Sequence, residues 1–429
     1  MIVRRSAAVL AATVAIGTAL APAAVAEGVS PSPSPSIPSG LYGTTDPTYD
    51  GVWRQSLALL AQHTVGVKPA AKAVDWLAGQ QCATGAFPAY RADATAKCDA
   101  KTMVDTNNTA AAVQALTALG GHDDATGRAV SWLKSVQNKD GGWGYTAGGA
   151  SDANSTSVVI GALAAAGEKP GNVKSGNVKS GNVKSGEGKS PYDVLVKLSI
   201  ACDTKTDDAG GFAYQPDKRG KLAANADATA AAVLGSLGKG FVTTAAKPQS
   251  YGHICANEEK LTPDLAARNG ASYLYNALFK VPYLKSAMPG AKDQPDYGNT
   301  ADAVVALAAG GYGKYTKRPL AWLEKNSGAW AAQAGPAAYA QLIFAARATG
   351  TDPRDFGGAD LVKQLNATGP AVRSYTYTAT TPERHKNDDK ADDKGDGKGF
   401  GVWWTVGVCL VAGIGIGFLI SARKKQPQP

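Results

Sequence analysis

A motif that recurs along the chain constrains its fold more than any single residue does. Between Tyr49 and Gly369 a Trp-Leu pair appears at Trp76-Leu77, Trp132-Leu133 and Trp322-Leu323. Ala129, Leu133 and Val136 fall at i, i+4 and i+7 around the second pair, which places it on an amphipathic helix. Glycine–aromatic turns follow at Gly85-Ala86-Phe87, Gly141-Gly142-Trp143, Gly210-Gly211-Phe212 and Gly328-Ala329-Trp330. After three of these a tyrosine comes soon, at Tyr90, Tyr145 and Tyr214. Then come polar clusters: Asp105-Thr106-Asn107-Asn108-Thr109, Asp152-Ala153-Asn154-Ser155-Thr156, Asn225-Ala226-Asp227-Ala228-Thr229 and Asp296-Tyr297-Gly298-Asn299-Thr300. Each opens a run of Ala, Val and Leu with almost no polar face, so each run reads as a helix buried all round. Most runs close on a glycine, a common way to cap a helix C-terminus. The clusters recur roughly 50–70 residues apart, so the unit is one helix hairpin with variable loops. Buried helices alternating with amphipathic ones give two concentric layers.

The ends set the compartment. Residues 1–26 read as a secretory signal: Arg4 and Arg5, an apolar run from Ala7 to Leu20, and the small-x-small site Ala24-Val25-Ala26. Residues 27–48 form a Pro/Ser linker. The helical body covers 49–370, with a loop insert at 170–190 that repeats Gly-Asn-Val-Lys-Ser. A Lys-, Asp- and Gly-rich stalk follows over 371–399. Phe400 to Ile420 carries no charge, and at about 1.5 Å per residue it is long enough for a hydrocarbon core of roughly 30 Å. Arg423, Lys424 and Lys425, in a tail of residues 421–429, then mark the cytoplasmic side. The expectation is a single-pass cell-membrane protein, N-terminus outside and C-terminus cytoplasmic.

With 44% hydrophobic and 18% charged residues the chain is no disordered polymer. Its formal net charge of +9 owes much to Arg4, Arg5 and the basic tail, so nucleic acid is not an expected partner. Cys82, Cys98, Cys202 and Cys255 are an even set in an oxidising place, while Cys409 lies in the apolar span. Three pairings are open; nearest neighbours favour Cys82–Cys98 and Cys202–Cys255. No C-x-x-C pair supports zinc, and no metal site is expected.

The stretch from Val130 to Trp143, Val-Ser-Trp-Leu-Lys-Ser-Val-Gln-Asn-Lys-Asp-Gly-Gly-Trp, closely resembles the QW repeat of the prenyltransferase and squalene-cyclase superfamily. Ala73 to Phe87 is a weaker copy. The resemblance implies an all-α fold: an (α/α)6 toroid of helix hairpins, here with one C-terminal transmembrane helix added. It also implies that Trp132, Gln137 and Trp143 are scaffold. The apparatus of its enzymes is missing from the helical body. There is no D-x-D-D acid; Asp123-Asp124 and Asp207-Asp208 read as turns. Asp388-Asp389-Lys390-Ala391-Asp392 matches a diphosphate motif but lies in the stalk. His63, His122, His253 and His385 have no metal-ligand spacing, and there is no thioester motif and no G-x-S-x-G. No catalytic residue is assigned. The non-enzymatic branch, the transcobalamin-like carriers, is similar at Asp105-Thr106 and the Ala-rich run after it. It implies a cobalamin-like ligand, completed by a separate β-domain or transporter chain because this chain has no β domain of its own.

The candidate site is the funnel mouth where the clusters gather. Its residues are Asp105, Asn107, Thr109, Asp152, Asn154, Thr156, Asn225, Asp227, Thr229, Asp296, Asn299 and Thr300, with Tyr90, Tyr145 and Tyr214 offering stacking faces. Helix starts present free N–H groups there, and Asp, Asn and Thr are also what helix caps prefer. The sequence supports an extracellular module that binds a small molecule or docks to a surface or transport complex. The alternative is a terpenoid-cyclase-like enzyme with an unrecognised acid, which a funnel with one buried carboxylate would favour.

Overall fold

The computed structural model describes residues 36–176, 188–203, 206–249, 255–287 and 293–375. In chain order its helices are α1 (Gly51–Thr64), α2 (Ala71–Gly79), α3 (Thr106–Leu119), α4 (Asp123–Ser135), α5 (Ala153–Ala165), α6 (Pro191–Leu198) and α7 (Ala226–Ser236). They continue with α8 (Pro263–Lys280), α9 (Tyr297–Ala309), α10 (Lys317–Asn326), α11 (Gly328–Ala334), α12 (Pro336–Thr349) and α13 (Leu361–Ala367). The rest is loops and two-residue strand pairs, such as Phe87–Pro88 with Val104–Asp105. The fold is all-α.

Six of these helices pack side by side in the order α1, α3, α5, α7, α9, α12, and α12 returns to α1. The ring is therefore closed. They are the Ala-rich runs, and most of their residues are buried on every face. The amphipathic helices lie outside them: α4 against α3 and α5, α6 against α5 and α7, α8 against α7 and α9. Each outer helix buries one stripe, as Ala129, Val130 and Leu133 do on α4. Because an outer helix returns the chain each time, all inner helices run the same way and their N-termini share one mouth.

The turns hold the layers together as the QW resemblance implies. Gln137 donates to the carbonyl of Gly141 at 2.7 Å and Gln81 to those of Gly85 at 2.9 Å and Ala125 at 2.7 Å. Trp143 is buried, and its indole N–H donates to Leu133 O at 2.7 Å. Gly85 and Gly141 both have φ of +95°, and each presses its Cα onto the next outer helix; a methyl group would collide with the carbonyl oxygen of Arg128 or Ser190. Cys82–Cys98 and Cys202–Cys255 are bonded as nearest neighbours.

Two local expectations are corrected. Gly328-Ala329-Trp330 is not a turn: Gly328 opens α11, because no strand-like aromatic hairpin follows Asn326 and the chain stays helical through Ala334. Asp123 and Asp124 form the first turn of α4 rather than a loop, where acidic side chains suit the helix dipole. The 170–190 insert leaves and returns at one point, with Ser175 N–H donating to Lys189 O at 2.9 Å. Among the described residues no helix is long and apolar enough to cross a membrane. The expected signal (1–26), most of the stalk and the apolar span (400–420) lie outside the described residues.

The two glycine contacts predict a graded loss of stability. Gly141→Ala meets both a positive φ and a carbonyl collision, whereas Gly120→Ala, at φ +72°, meets open space. Gly120→Ala should lose about 1 kcal/mol and Gly141→Ala at least ~3 kcal/mol, read from urea midpoints.

Candidate functional site

Each inner helix from α3 to α9 starts the same way. The first cluster residue caps the helix: Asp105 accepts from Asn108 N–H at 2.7 Å, Asp152 from Ser155 at 2.7 Å, Asn225 from Ala228 at 2.8 Å and Asp296 from Asn299 at 3.0 Å. The third helical residue answers with its side chain: Asn108 on Asp105 at 2.7 Å, Ser155 on Asp152 at 2.8 Å, Asn299 on Asp296 at 2.8 Å. The threonine after it ties in the preceding turn. Thr109 accepts from Phe87 N–H at 2.9 Å, Thr156 from Trp143 at 3.1 Å, Thr229 from Phe212 at 2.9 Å and Thr300 from Leu284 at 2.9 Å. Asp105, Asp152, Asn225, Asp296, Asn299, Thr109, Thr156, Thr229 and Thr300 are thus engaged in building helix starts.

The tyrosines are engaged too. Tyr145 O accepts from Thr106 N–H at 2.8 Å and Tyr214 O from Ala153 N–H at 3.0 Å, strapping each hairpin to the one before. Their hydroxyls hydrogen-bond to Asp105 and Asp152. Burial raises both caps to about 6, and these bonds partly oppose it. Tyr90 stacks on Trp76 with ring centroids 6.4 Å apart.

One position in each cluster remains, the second helical residue: Asn107, Asn154, Asp227 and Gly298. Asn154 is 3% exposed and donates its Nδ2 to Asp227 Oδ2 at 2.6 Å, so the starts of α5 and α7 meet across the mouth. Its Oδ1 has no hydrogen-bond partner among the described residues, and Asn107, 1% exposed, has none for either side-chain atom. Asp302 on α9, which no motif marks, joins them from one turn deeper; Gln341 on α12 donates to it at 3.0 Å. The sequence signal for Asp302 was its isolation: it is the one charged residue in an apolar inner run.

Asp227 and Asp302 keep an edge open to solvent yet are enclosed by protein, as side chains lining a funnel are. Burial first, then repulsion from Asp296 and Asp152, raises Asp227 to about 7. Burial first, then Asp227 and Asp296, raises Asp302 to about 8. The charges acting on both, among the described residues, are other carboxylates. Arg54, buried on α1, instead pairs with Asp50 at 3.0 Å and binds Thr45. No group of three His, Cys, Asp or Glu among the described residues could hold a metal ion.

Aromatic rings flank this mouth. Tyr283, Trp322, Tyr297 and Trp330 form a row with successive centroids 4.8, 4.9 and 5.5 Å apart. A methyl group on Gly298 would sit 3.2 Å from Gln341 Oε1 and 3.6 Å from Trp330 Cζ2, so the row ends beside the acids. The opposite end of the bore is filled. The loop after α7 folds under it, Phe241 N–H donating to Gln114 Oε1 at 3.0 Å and Lys239 Nζ to Ala309 O at 3.0 Å. The Phe241 ring packs edge-on to Trp53 at 5.5 Å and parallel to Phe344 at 6.4 Å. A cavity of about 500 Å³ lies on that side, lined by Leu60, Gln114, Thr117, Gly161, Lys239 and Val242. Its one cation already rests on a helix C-terminus, and the rest of its lining is mostly small or apolar.

No protein-family model matches this chain, and no curated protein matches it. Among solved structures, the type II terpene cyclase MstE from Scytonema, in its apo form, is similar over 66% of this chain and 73% of its own, at 12% identity and a TM-score of 0.40.

Raised carboxylates make stability pH-dependent with a definite sign. Asp227 and Asp302 bind protons more tightly folded than unfolded, so between pH ~4 and ~8 the folded state holds more protons and stability falls as pH rises. The Asp227→Asn/Asp302→Asn double variant should flatten this slope. Urea midpoints compared from about pH 5 to about pH 9 check it; parallel slopes in the two proteins would rule out charge storage at this mouth.

Proposed function

We propose that the chain is a helix-ring protein of the prenyltransferase and squalene-cyclase type that captures a small molecule in the N-terminal mouth of the ring. The observation that carries this reading is the set of polar groups left over at that mouth. The starts of α3, α5, α7 and α9 spend their caps and threonines on the fold, yet Asn107, Asn154 and Asp227 are directed elsewhere, with buried atoms of both asparagines unpartnered. A buried polar atom without a partner costs about 1–3 kcal/mol, and a module with only a structural task gains nothing from keeping several. A ligand that bonds these atoms recovers that free energy. The site is therefore narrower than the full set of cluster residues: Asn107, Asn154, Asp227, Asp302 and Gln341. A corrinoid belongs in the ligand panel on the resemblance to the carriers, with a partner chain forming its second wall.

Membrane anchoring through 400–420 belongs to the same proposal. The described chain ends at Tyr375, paired with Val67 just past the C-terminal end of α1, away from the acid mouth. A tether leaving there lets the mouth face outward from the membrane. Cells expressing the full chain should release the ring when extracellular protease cuts the stalk, and a chain ending at Tyr375 should be found in the medium. Retention of that truncated chain in the membrane fraction would count against the anchor.

A second reading has one observation in its favour: Asp302, raised to about 8, holds its proton at neutral pH beside an aromatic row. Such a group can donate a proton. On this reading the ring is a terpenoid-cyclase-like enzyme with Asp302 as its acid.

One experiment separates the two. The purified full chain is incubated with cell extract and with isoprenoids, and what it holds or makes is identified by mass spectrometry. Capture predicts one compound retained unchanged, with retention falling at least about tenfold in Asp227→Asn/Asp302→Asn. A converted isoprenoid whose formation stops in Asp302→Asn would replace capture by catalysis. An empty wild-type protein would leave neither.

A further inference from the structure

Asn107 on α3 leaves both a donor and an acceptor free, but the uncompensated groups around Asp227 and Asp302 are of one kind. Asp227 and Asp302 are carboxylates, and the free atom of Asn154 is a carbonyl oxygen; Asn154 itself is 3% exposed and is aimed into the pair through its Nδ2 bond to Asp227. Gln341 and Asn154 already supply the donors, one to each acid. What the site lacks is positive charge. Buried carboxylates elsewhere in the ring are compensated: Asp50 by Arg54, Asp105 and Asp152 by their helix starts and a tyrosine hydroxyl each. Asp302 lies in the second turn of α9, beyond the reach of the helix-start field, which falls off within the first turn.

The helix α9 also breaks the pattern of its neighbours. Where they carry Asn, Asn and Asp at the second position, it carries Gly298, which lets Gln341 and Trp330 close in on the helix start so tightly that a methyl group there would sit 3.2 Å from Gln341 Oε1. Gln341, which donates to Asp302, thus lies beside Trp330, itself stacked on Tyr297. A cation held by the carboxylates lies on the side of the ring where this aromatic row ends at Trp330, and acids and π-systems both attract it.

We propose that the mouth binds an organic ammonium ion, its charged end between Asp227 and Asp302 and its carbon body toward Trp330, where the aromatic row ends. This rests on the capture reading above and names the chemical class of what is captured. An ammonium brings donors to the oxygens of Asp227, Asp302 and Asn154, and its charge offsets the burial and, after it, the repulsion that raise the two acids to about 7 and 8. An uncharged alcohol supplies one donor and no charge.

The test uses the purified full chain with phenethylamine, spermidine and choline as probes, 2-phenylethanol as the uncharged counterpart, and magnesium and calcium as inorganic cations, all by calorimetry at about pH 9, where acids raised to about 7 and 8 are mostly ionised and the amines still largely carry their protons. Binding of at least one ammonium probe, at least about tenfold tighter than the alcohol and weakened at least about tenfold in both Asp302→Asn and Asp227→Asn, is the expected result. Both variants keep an amide able to bond Gln341 or Asn154, and unchanged urea midpoints or higher ones confirm that they fold. Equal binding of alcohol and amine overturns the charge argument. Binding of magnesium or calcium alone overturns the organic class. If no ammonium probe binds while mass spectrometry still finds a retained compound, the class is wrong and the capture reading stands; if neither finds anything, both fall.

Discussion

One threonine hydroxyl at the start of each inner helix from α3 to α9 holds the two layers of the ring in register. It accepts the backbone N–H of the preceding turn residue (Phe87, Trp143, Phe212 or Leu284). In three helices it donates in turn to the carbonyl of its own cap residue, Asp105, Asn225 or Asp296, and in α5 to Trp143. A single oxygen thus satisfies a turn that belongs to the outer layer and a helix end that belongs to the inner one. The turn N–H would otherwise be buried and unpaired, at about 1–3 kcal/mol. Because threonine and cap use up the outward-facing positions of the cluster, the second helical residue is left to face the bore. The repeat that builds the scaffold also produces, four times over, a position the scaffold does not need.

What occupies that position varies, and the variation is where chemistry enters. Asn107, Asn154, Asp227 and Gly298 run from neutral and unpartnered, through hydrogen-bonded, to charged, and then to an absent side chain. Burying a carboxylate without a cation is expensive, and proteins usually answer by pairing it or protonating it. This ring does pair its buried charge at the seam between α1 and α12, where Arg54 meets Asp50 and Thr45. At the mouth it buries two acids among other carboxylates instead, so that burial first, then repulsion from Asp296 and Asp152 on Asp227 and from Asp227 and Asp296 on Asp302, raises the proton affinity of both. The closed ring makes that tolerable: six Ala-rich helices buried on all faces supply a core from which a local penalty can be withdrawn.

How far the sequence discloses this follows from what repeats. The hairpin unit, the QW turns with Gln81 and Gln137, the caps and both disulfides are legible because each is a local device copied or spaced in the chain. The first and last inner helices are less so, since α1 starts at Gly51 without a side-chain cap bond and α12 at Pro336 after a glycine; their place comes from ring closure. Trp330 looks like a turn residue and lies on α11, because a glycine before an aromatic does not make a turn without a partner strand. Tyr145 and Tyr214 look like stacking faces, but their hydroxyls reach the caps of the preceding hairpin, a contact between repeats that no single repeat displays. Asp302 and Gln341 share no motif at all. They meet only because α9 and α12 run parallel and each carries its polar side chain at its sixth residue.

The two ends of the bore are unlike in a way that gives the ring a direction. Phe241 enters from the C-terminal side and reaches far enough to touch Trp53 in the first turn of α1 and Phe344 in the third turn of α12. The loop carrying it is fixed by Gln114 and by Lys239 on the carbonyl of Ala309, a lysine whose burial lowers its pKa and whose charge suits a helix C-terminus. A bore stopped in this manner is no conduit between the two faces. Whatever reaches Asp227 and Asp302 comes and goes by the mouth where the inner helices begin. The same floor explains why the acids stay enclosed yet keep one solvent-facing edge: protein lies beneath and around them, and water only above. That geometry raises the proton affinity of both carboxylates.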